Sequence, residues 1–307
     1  MSTYYYDCEF LEGKQKESFP ISLFRKETKP GIDLISIGLI AEDNEEYYAI
    51  SKDFNLTEAW NRFEWKKQWV PLDKNNQVCK DVRVYWIREN VLLPIFYQLA
   101  LDDFHLTHFK DQWLVDGKEV TLEVFKSNAK WSSDFKWFKK LIKKYGKTND
   151  QIAAEIKEFI YKKEDVLYNH ERCSMEDIGS VKSDINLYGY YSAYDHVVFC
   201  WLFGKMMNLP NGFPMYTRDL KQILDEITLD LPKELIRKLQ CSICNHNSLE
   251  YLENTGEAFE LEFRLKRIKK HADYPKQENE HNSLSDARWN KKLHEFLKSL
   301  QIQISGE

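Results

Sequence analysis

The stretch "TYYYDCEF", Thr3 to Phe10, decides the fold, because it is an apolar, aromatic strand pattern broken by two carboxylates one residue apart. Successive strand side chains alternate faces at ~3.3 Å per residue, so Asp7 and Glu9 share a face with backbones ~7 Å apart. Two anions so placed repel. On an exposed edge strand the pair is a solvated face and carries no message. On an apolar first strand the alternative is a shared divalent cation, which removes the repulsion and uses hard oxygen ligands. Other parts of the chain must then supply further carboxylates.

Working outward, "IDLISIGLIA" (Ile32 to Ala41) and "EYYAIS" (Glu46 to Ser51) are strands joined through "EDNE", an antiparallel hairpin. From Leu56 to about Tyr145 the chain is irregular and tryptophan-rich, read as inserted loops and helices. "TNDQIAAEIKEFIYKK" (Thr148 to Lys163) spaces Ile152, Ile156 and Ile160 at helical intervals behind a capping threonine. A strand to about Tyr191 then gives way to a helix from about Asp195. "FPMYTRDLKQILDEI" (Phe213 to Ile227) repeats strand then helix, and "SLSDARWNKKLHEFLKSLQ" (Ser283 to Gln301) is the last strong helix. A meander followed by alternating helices and strands predicts an α/β fold with a mixed sheet flanked by helices.

The 307 residues, 43% hydrophobic and 14% aromatic, suffice for one large core with decorations. The six cysteines follow no regular framework and the start lacks a basic-then-apolar leader, which predicts a reducing, cytoplasmic setting. The apolar run "VVFCWLF" (Val197 to Phe203) is far short of the roughly 20 residues of a membrane helix. A net charge of -5 offers no global attraction to nucleic acid, so a polyanion site needs a local basic patch or bound cations.

Such a patch lies in "KSNAKWSSDFKWFKKLIKKYGK", where Lys126, Lys130, Lys136, Lys139, Lys140, Lys143, Lys144 and Lys147 face Asp134 alone, interleaved with Trp131, Phe135, Trp137, Phe138 and Tyr145. Lysines neutralise phosphates while rings stack on bases. The competing account is a solvated amphipathic helix whose aromatic stripe is core. "CSICNHN" offers Cys241, Cys244 and His246, half of a zinc pattern that His271 or Cys79 could complete; no second C-x-x-C follows, and two thiols on an amphipathic helix are the ordinary explanation.

Two stretches could supply the missing carboxylates. In "YYSAYDHVVF", Asp195 falls where strand yields to helix, a position that also suits an N-cap. In "EHNSLSDARW", Ser283 and Asp286 have the spacing of a capping box. Capping does not need His281, whose ordinary pKa suits a general base beside metal-bound water.

Taken in order, D-x-E on the first strand, Tyr-Asp at a mid-chain strand end and H-x4-D opening the last helix resemble the DEDDh exonucleases of the ribonuclease H-like fold. The match is nearest to small bacterial and phage 3′-to-5′ exoribonucleases related to ribonuclease T, on "YYDCEFLE", "IDLISIGLIAEDNEEYYAIS", "WIRENVL", "YGYYSAYDHVVFCWLFGKMMNLPNGFPMYTRDLKQ" and "EHNSLSDARWNKKLHEFL". The chain departs from that subgroup in two long insertions, about 56–145 and about 232–275. It also carries Tyr190, Tyr191 and Ser192 where the second motif often has an Asn.

The resemblance implies a single exonuclease domain over 1–307, with a ribonuclease H-like sheet of antiparallel meander then parallel strands. It implies in-line hydrolysis of a 3′-terminal phosphodiester to a 5′-mononucleotide with two Mg²⁺ or Mn²⁺ ions ~4 Å apart. Asp7, Glu9, Asp195 and Asp286 would be the metal ligands and His281 the base. Phe10 and Leu11 would wedge the last base, each with a core role as the alternative. The partner implied is single-stranded or 3′-overhang nucleic acid, RNA before DNA. The family offers no guide to the lysine-rich insertion, where the residues themselves suggest Lys136, Lys139, Lys140, Lys143 and Lys144 as a path for the upstream strand. A DNA exonuclease, and a binding module that keeps the fold without chemistry, stay open as alternatives, as does a homodimer.

Overall fold

The computed structural model describes residues 2–16, 21, 27–71, 77–108, 114–115, 118–119, 135–168, 185–231 and 257–305. Its centre is a five-stranded sheet in the order β3-β2-β1-β8-β9, built from β1 (Ser2–Gly13), β2 (Gly31–Ala41), β3 (Glu46–Ile50), β8 (Ile185–Gly189) and β9 (Arg218–Asp219). The first three strands are antiparallel neighbours, whereas β8 runs parallel to β1 and β9 parallel to β8. This mixed sheet flanked by helices is consistent with the ribonuclease H-like fold. The β2–β3 turn falls on Glu42 to Glu45 as the sequence predicts, with Asn44 at φ 71°, a conformation asparagine tolerates.

Strand β1 is central, which explains its composition. Tyr4, Tyr6 and Cys8 on one face pack against Ile152, Ile156 and Ile160 of α4 (Asn149–Tyr168) and Val198 and Phe199 of α5 (Ala193–Leu202). Full burial of each isoleucine or phenylalanine contributes roughly 1.5–3 kcal/mol. Thr148 and Gln151 cap α4 reciprocally through Oγ1 and Oε1 to each other's backbone N–H groups. The opposite face carries Tyr5, Asp7, Glu9 and Leu11 and is covered by α8 (Ser283–Ser305) and by the first insertion.

That insertion contains α1 (Leu56–Asn61), an antiparallel hairpin of β4 (Glu64–Pro71) and β5 (Gln77–Val84), a π-helical turn Arg88–Leu92 leading into α2 (Leu93–His108), the two-residue ladder of β6 (Leu114–Val115) and β7 (Lys118–Glu119), and α3 (Phe135–Tyr145). The β4–β5 hairpin departs from the expectation of loops and helices alone. Its sequence, "EWKKQWVP" against "QVCKDVRV", lacks the one-sided apolar alternation that marks a half-buried strand, because both of its faces are largely solvated. Leu11, Ile35 and Ile50 of the sheet share one apolar cluster with Trp60, Phe96, Phe138, Leu141 and Ile142, so the insertion has its core in common with the sheet.

Beyond β8, the strand before Leu220 is only two residues long, and Asp219 caps α6 (Leu220–Asp230) by accepting the Lys221 N–H. The second insertion contributes α7 (Glu257–Ile268), which packs on α6. Cys241, Cys244 and His246 lie outside the described residues, as do Lys126, Lys130 and Trp131. No helix among the described residues is long and apolar enough to cross a membrane.

Candidate functional site: an acidic cavity at the end of the central strand

Strand β8 pairs with β1 only as far as Tyr5. Past that point the side of β1 facing β8 lacks a ladder partner, and side chains replace it. Asn290 Nδ2 donates to the Tyr6 carbonyl at 3.0 Å, and the Cys8 N–H donates to Asp195 Oδ1 at 3.0 Å. Asp195 is the third residue of α5, not its cap as position alone allows; Ser192 stands at the N-cap position without a side-chain hydrogen bond. The helix starts earlier than the sequence predicts because Tyr191 turns the chain sharply at φ 54°.

Helix α8 brings the fourth carboxylate, Asp286. Its start lies directly on Gly38, the β2 residue opposite Asp7, where a Cβ would stand 2.4 Å from the Leu284 Cα. The cap of α8 is Asn282, whose Oδ1 accepts the Ser285 N–H, so the capping box expected from Ser283 is displaced by one residue. Ser283 is instead buried, with its hydroxyl donating to Ser36 Oγ. Asp286 reaches back to accept the His281 N–H at 2.9 Å and the Gln277 side-chain amide at 2.7 Å.

These contacts gather Asp7, Glu9 and Asp286 so that one carboxylate oxygen of each lies within 4.8 Å of the others. They line a cavity of about 210 Å³ together with Asp195, His281 and the exposed Glu280. Asp195 and Asp286 are buried, and Asp7 and Glu9 partly so. Burial, then repulsion from Asp195, Glu9 and Asp286, pushes the Asp7 carboxyl well above its ordinary range. Burial with Asp286 and Asp195 nearby raises Glu9 to about 8. Burial raises Asp195 to about 7 against the lowering pull of the Cys8 N–H, and raises Asp286 against its two hydrogen bonds. The cluster is thus a set of hard oxygen donors in want of positive charge, a donor set compatible with a divalent cation.

His281 is held at φ 67°, a strained conformation for a side chain with a Cβ, and its Nδ1 lies 3.9 Å from Glu9 Oε1. Its ring packs on Trp86, with centroids 4.8 Å apart at 72°. Trp86 opens the quoted stretch "WIRENVL" inside the first insertion, and its approach to His281 is what the sequence does not give. Gln277, Glu280 and Asn290 are likewise additions that follow only from tertiary packing.

The remaining sequence candidates separate. Phe10 lines the cavity, with Tyr194 at 6.1 Å between ring centroids, rather than lying wholly in the core. Leu11 is fully buried among Ile35 and the insertion and does not line the cavity. Lys136, Lys139, Lys140, Lys143 and Lys144 are on the exposed face of α3 and do not line the cavity, while Phe138, Leu141 and Ile142 anchor the other face. Lys144 pairs with Asp103 at 2.5 Å, and Trp137 packs on Phe96, so α3 is an amphipathic helix with an exposed lysine face.

No family model matches the chain. Two proteins of Mycobacterium tuberculosis, one from strain CDC 1551 / Oshkosh and one from strain ATCC 25618 / H37Rv, are similar to it; each is named a 3′-5′ exoribonuclease. Each is 24% identical over 225 residues, which cover 73% of this chain and 74% of the relative.

Proposed function

We propose that the chain is a metal-dependent 3′-to-5′ exonuclease of the DEDDh kind, acting on RNA and releasing 5′-mononucleotides. The observation that carries this reading is the convergence of Asp7, Glu9 and Asp286 oxygens within 4.8 Å in one cavity with Asp195 and His281. A cavity that serves only to bind a polyanion gains nothing from such an acid cluster, which repels phosphate unless cations neutralise it. The names of the two relatives support RNA as substrate.

Asp7, Glu9 and Asp286 would hold the cations, with Asp195 completing the set from α5. Bound there, Mg²⁺ or Mn²⁺ would supply Lewis-acid stabilisation of the charge on the attacking and departing oxygens of the phosphodiester. His281 accepts the proton of the attacking water at an imidazole nitrogen, and its backbone N–H holds Asp286 in place. The water oxygen bonds to the terminal phosphorus as the bond to the 3′ oxygen breaks, leaving a new 3′-hydroxyl and a 5′-mononucleotide. Phe10, Tyr190 and Tyr191 give the cavity an aromatic wall against which a terminal base can rest.

A panel of matched single-stranded RNA and DNA oligonucleotides tests the reading. It predicts stepwise shortening of RNA from the 3′ end, faster than DNA. Preferential digestion of DNA moves the protein to the alternative substrate, and tight binding without shortening of either makes it a binding module.

A further inference from the structure

The hairpin of the first insertion extends from the rim of the cavity. Residues two apart on a strand share a face, so Trp65, Lys67 and Trp69 of β4 stand together, with Arg83 of β5 directly opposite Trp65. The two indoles are 60% and 65% exposed. Large side chains kept in water on a regular strand, two positions either side of a lysine, are ill suited to a core and well suited to stacking.

The face is continuous with the site. The Arg83 guanidinium lies 5.1 Å from the Trp65 ring and 4.7 Å from Phe63, and Phe63 lies 5.7 Å from Tyr85. The next residue, Trp86, stands against His281. On this face Lys67 and Arg83 outnumber Asp81, which stands directly opposite Lys67, while Glu64, Lys66 and Lys80 lie on the other face. An apolar protein surface matches two solvated indoles interleaved with cations less well than a polyanion with flat bases does.

We infer that the β4–β5 face is the track for the upstream part of a single-stranded nucleic acid whose 3′ end occupies the cavity, with bases stacked on Trp65 and Trp69 and phosphates met by Lys67 and Arg83. The inference rests on the exonuclease reading for the direction of the strand. It replaces the lysine face of α3 as the substrate path, because the hairpin reaches the catalytic rim through Trp86. Eight residues of β4 at ~3.3 Å each give a track of about 26 Å. Only strands several nucleotides long reach Trp69.

The test is equilibrium binding of end-labelled single-stranded RNA to the full chain in chelator, which prevents turnover. Two lengths are compared, about three nucleotides, shorter than a single-strand site, and about twelve, within the ~4–16 nucleotides such sites span. Wild type binds the longer strand more tightly. In Trp65→Ala/Trp69→Ala that length dependence collapses, with the dissociation constant for the longer strand rising about 10-fold or more. Lys67→Glu/Arg83→Glu lowers the salt dependence of binding and carries the test if the tryptophan variant melts early. Wild-type affinity of both variants for the longer strand overturns the track, as does a wild-type dimer that the tryptophan variant dissociates. Length-dependent binding by a protein that releases no nucleotides when metal is added leaves the track standing and removes the nuclease reading. Digestion with variants that bind as wild type removes the track alone.

Discussion

Asp195 Oδ1 accepts the Cys8 N–H at 3.0 Å, where the ladder between β1 and β8 has already ended at Tyr5. One carboxylate therefore completes the backbone hydrogen bonding of the central strand and contributes charge to the cavity. Substitution separates the two roles. Asp195→Asn keeps an acceptor for the Cys8 N–H and should retain stability while losing turnover. Asp195→Ala leaves that buried N–H unsatisfied and should cost about 1–3 kcal/mol in addition. Chemical denaturation of the two variants beside an activity assay checks the difference.

The raised carboxyls predict how metal and pH act together. Without metal, Glu9 binds its proton more tightly in the folded state, about 8 against an ordinary 4.5, and Asp195 likewise, about 7 against 3.8. Between those limits the folded state carries more protons than the unfolded one, so the contribution of these groups to stability falls as pH rises. His294 acts in the opposite sense, because burial lowers it to about 4 from 6.5 and its contribution grows as pH rises between those values. It is common to metal-free and metal-loaded protein. The difference in melting temperature between Mg²⁺ or Mn²⁺ and chelator should therefore widen from pH 5 to pH 8, since cations bind the ionised cluster. A gap independent of pH contradicts this account of the cavity.

Gly38 sets the distance between α8 and the sheet. A Cβ there would lie 2.4 Å from the Leu284 backbone, an overlap that only displacement of the helix relieves. Gly38→Ala should destabilise by about 1–3 kcal/mol and reduce activity further than the melting temperature explains, because Asp286 and His281 move with the start of α8. Gly31→Ala, at a position with open space around the Cβ, is the control.

His281→Ala should lower the rate by about 10² to 10⁴, the usual contribution of a positioned general base. Its backbone N–H still reaches Asp286, so the stabilisation of the protein by metal should persist. Turnover equal to wild type would make His281 a loop residue that merely approaches Glu9.

Much of this was legible in the sequence, for physical reasons. Tyr4 to Phe10 reads as a buried strand because its apolar run puts Tyr4, Tyr6 and Cys8 on one face, and Ile152, Ile156 and Ile160 read as a helix face because their spacing follows the helical turn. The D-x-E pair needs no tertiary information to share a face. Asp195 and Asp286 were legible as candidates but not in their local roles. The cap at Asn282 and the turn at Tyr191 depend on how α8 and α5 dock on β1. The β4–β5 hairpin was illegible because solvated strands lack the apolar period, and the place of Trp86 beside the cavity because its partner, His281, is remote in sequence.

In the proposed reading the acid cluster works through bound cations on a 3′ end. Single-stranded RNA labelled at its 5′ end and bearing a 3′-hydroxyl, incubated with Mg²⁺ or Mn²⁺, should shorten stepwise and release 5′-mononucleotides. A circular strand should survive, chelator should abolish the reaction, and Asp7→Asn should slow it by about 10² or more while leaving the fold intact. Metal-independent digestion, internal cleavage of the circle, or products ending in a 3′-phosphate would contradict the account.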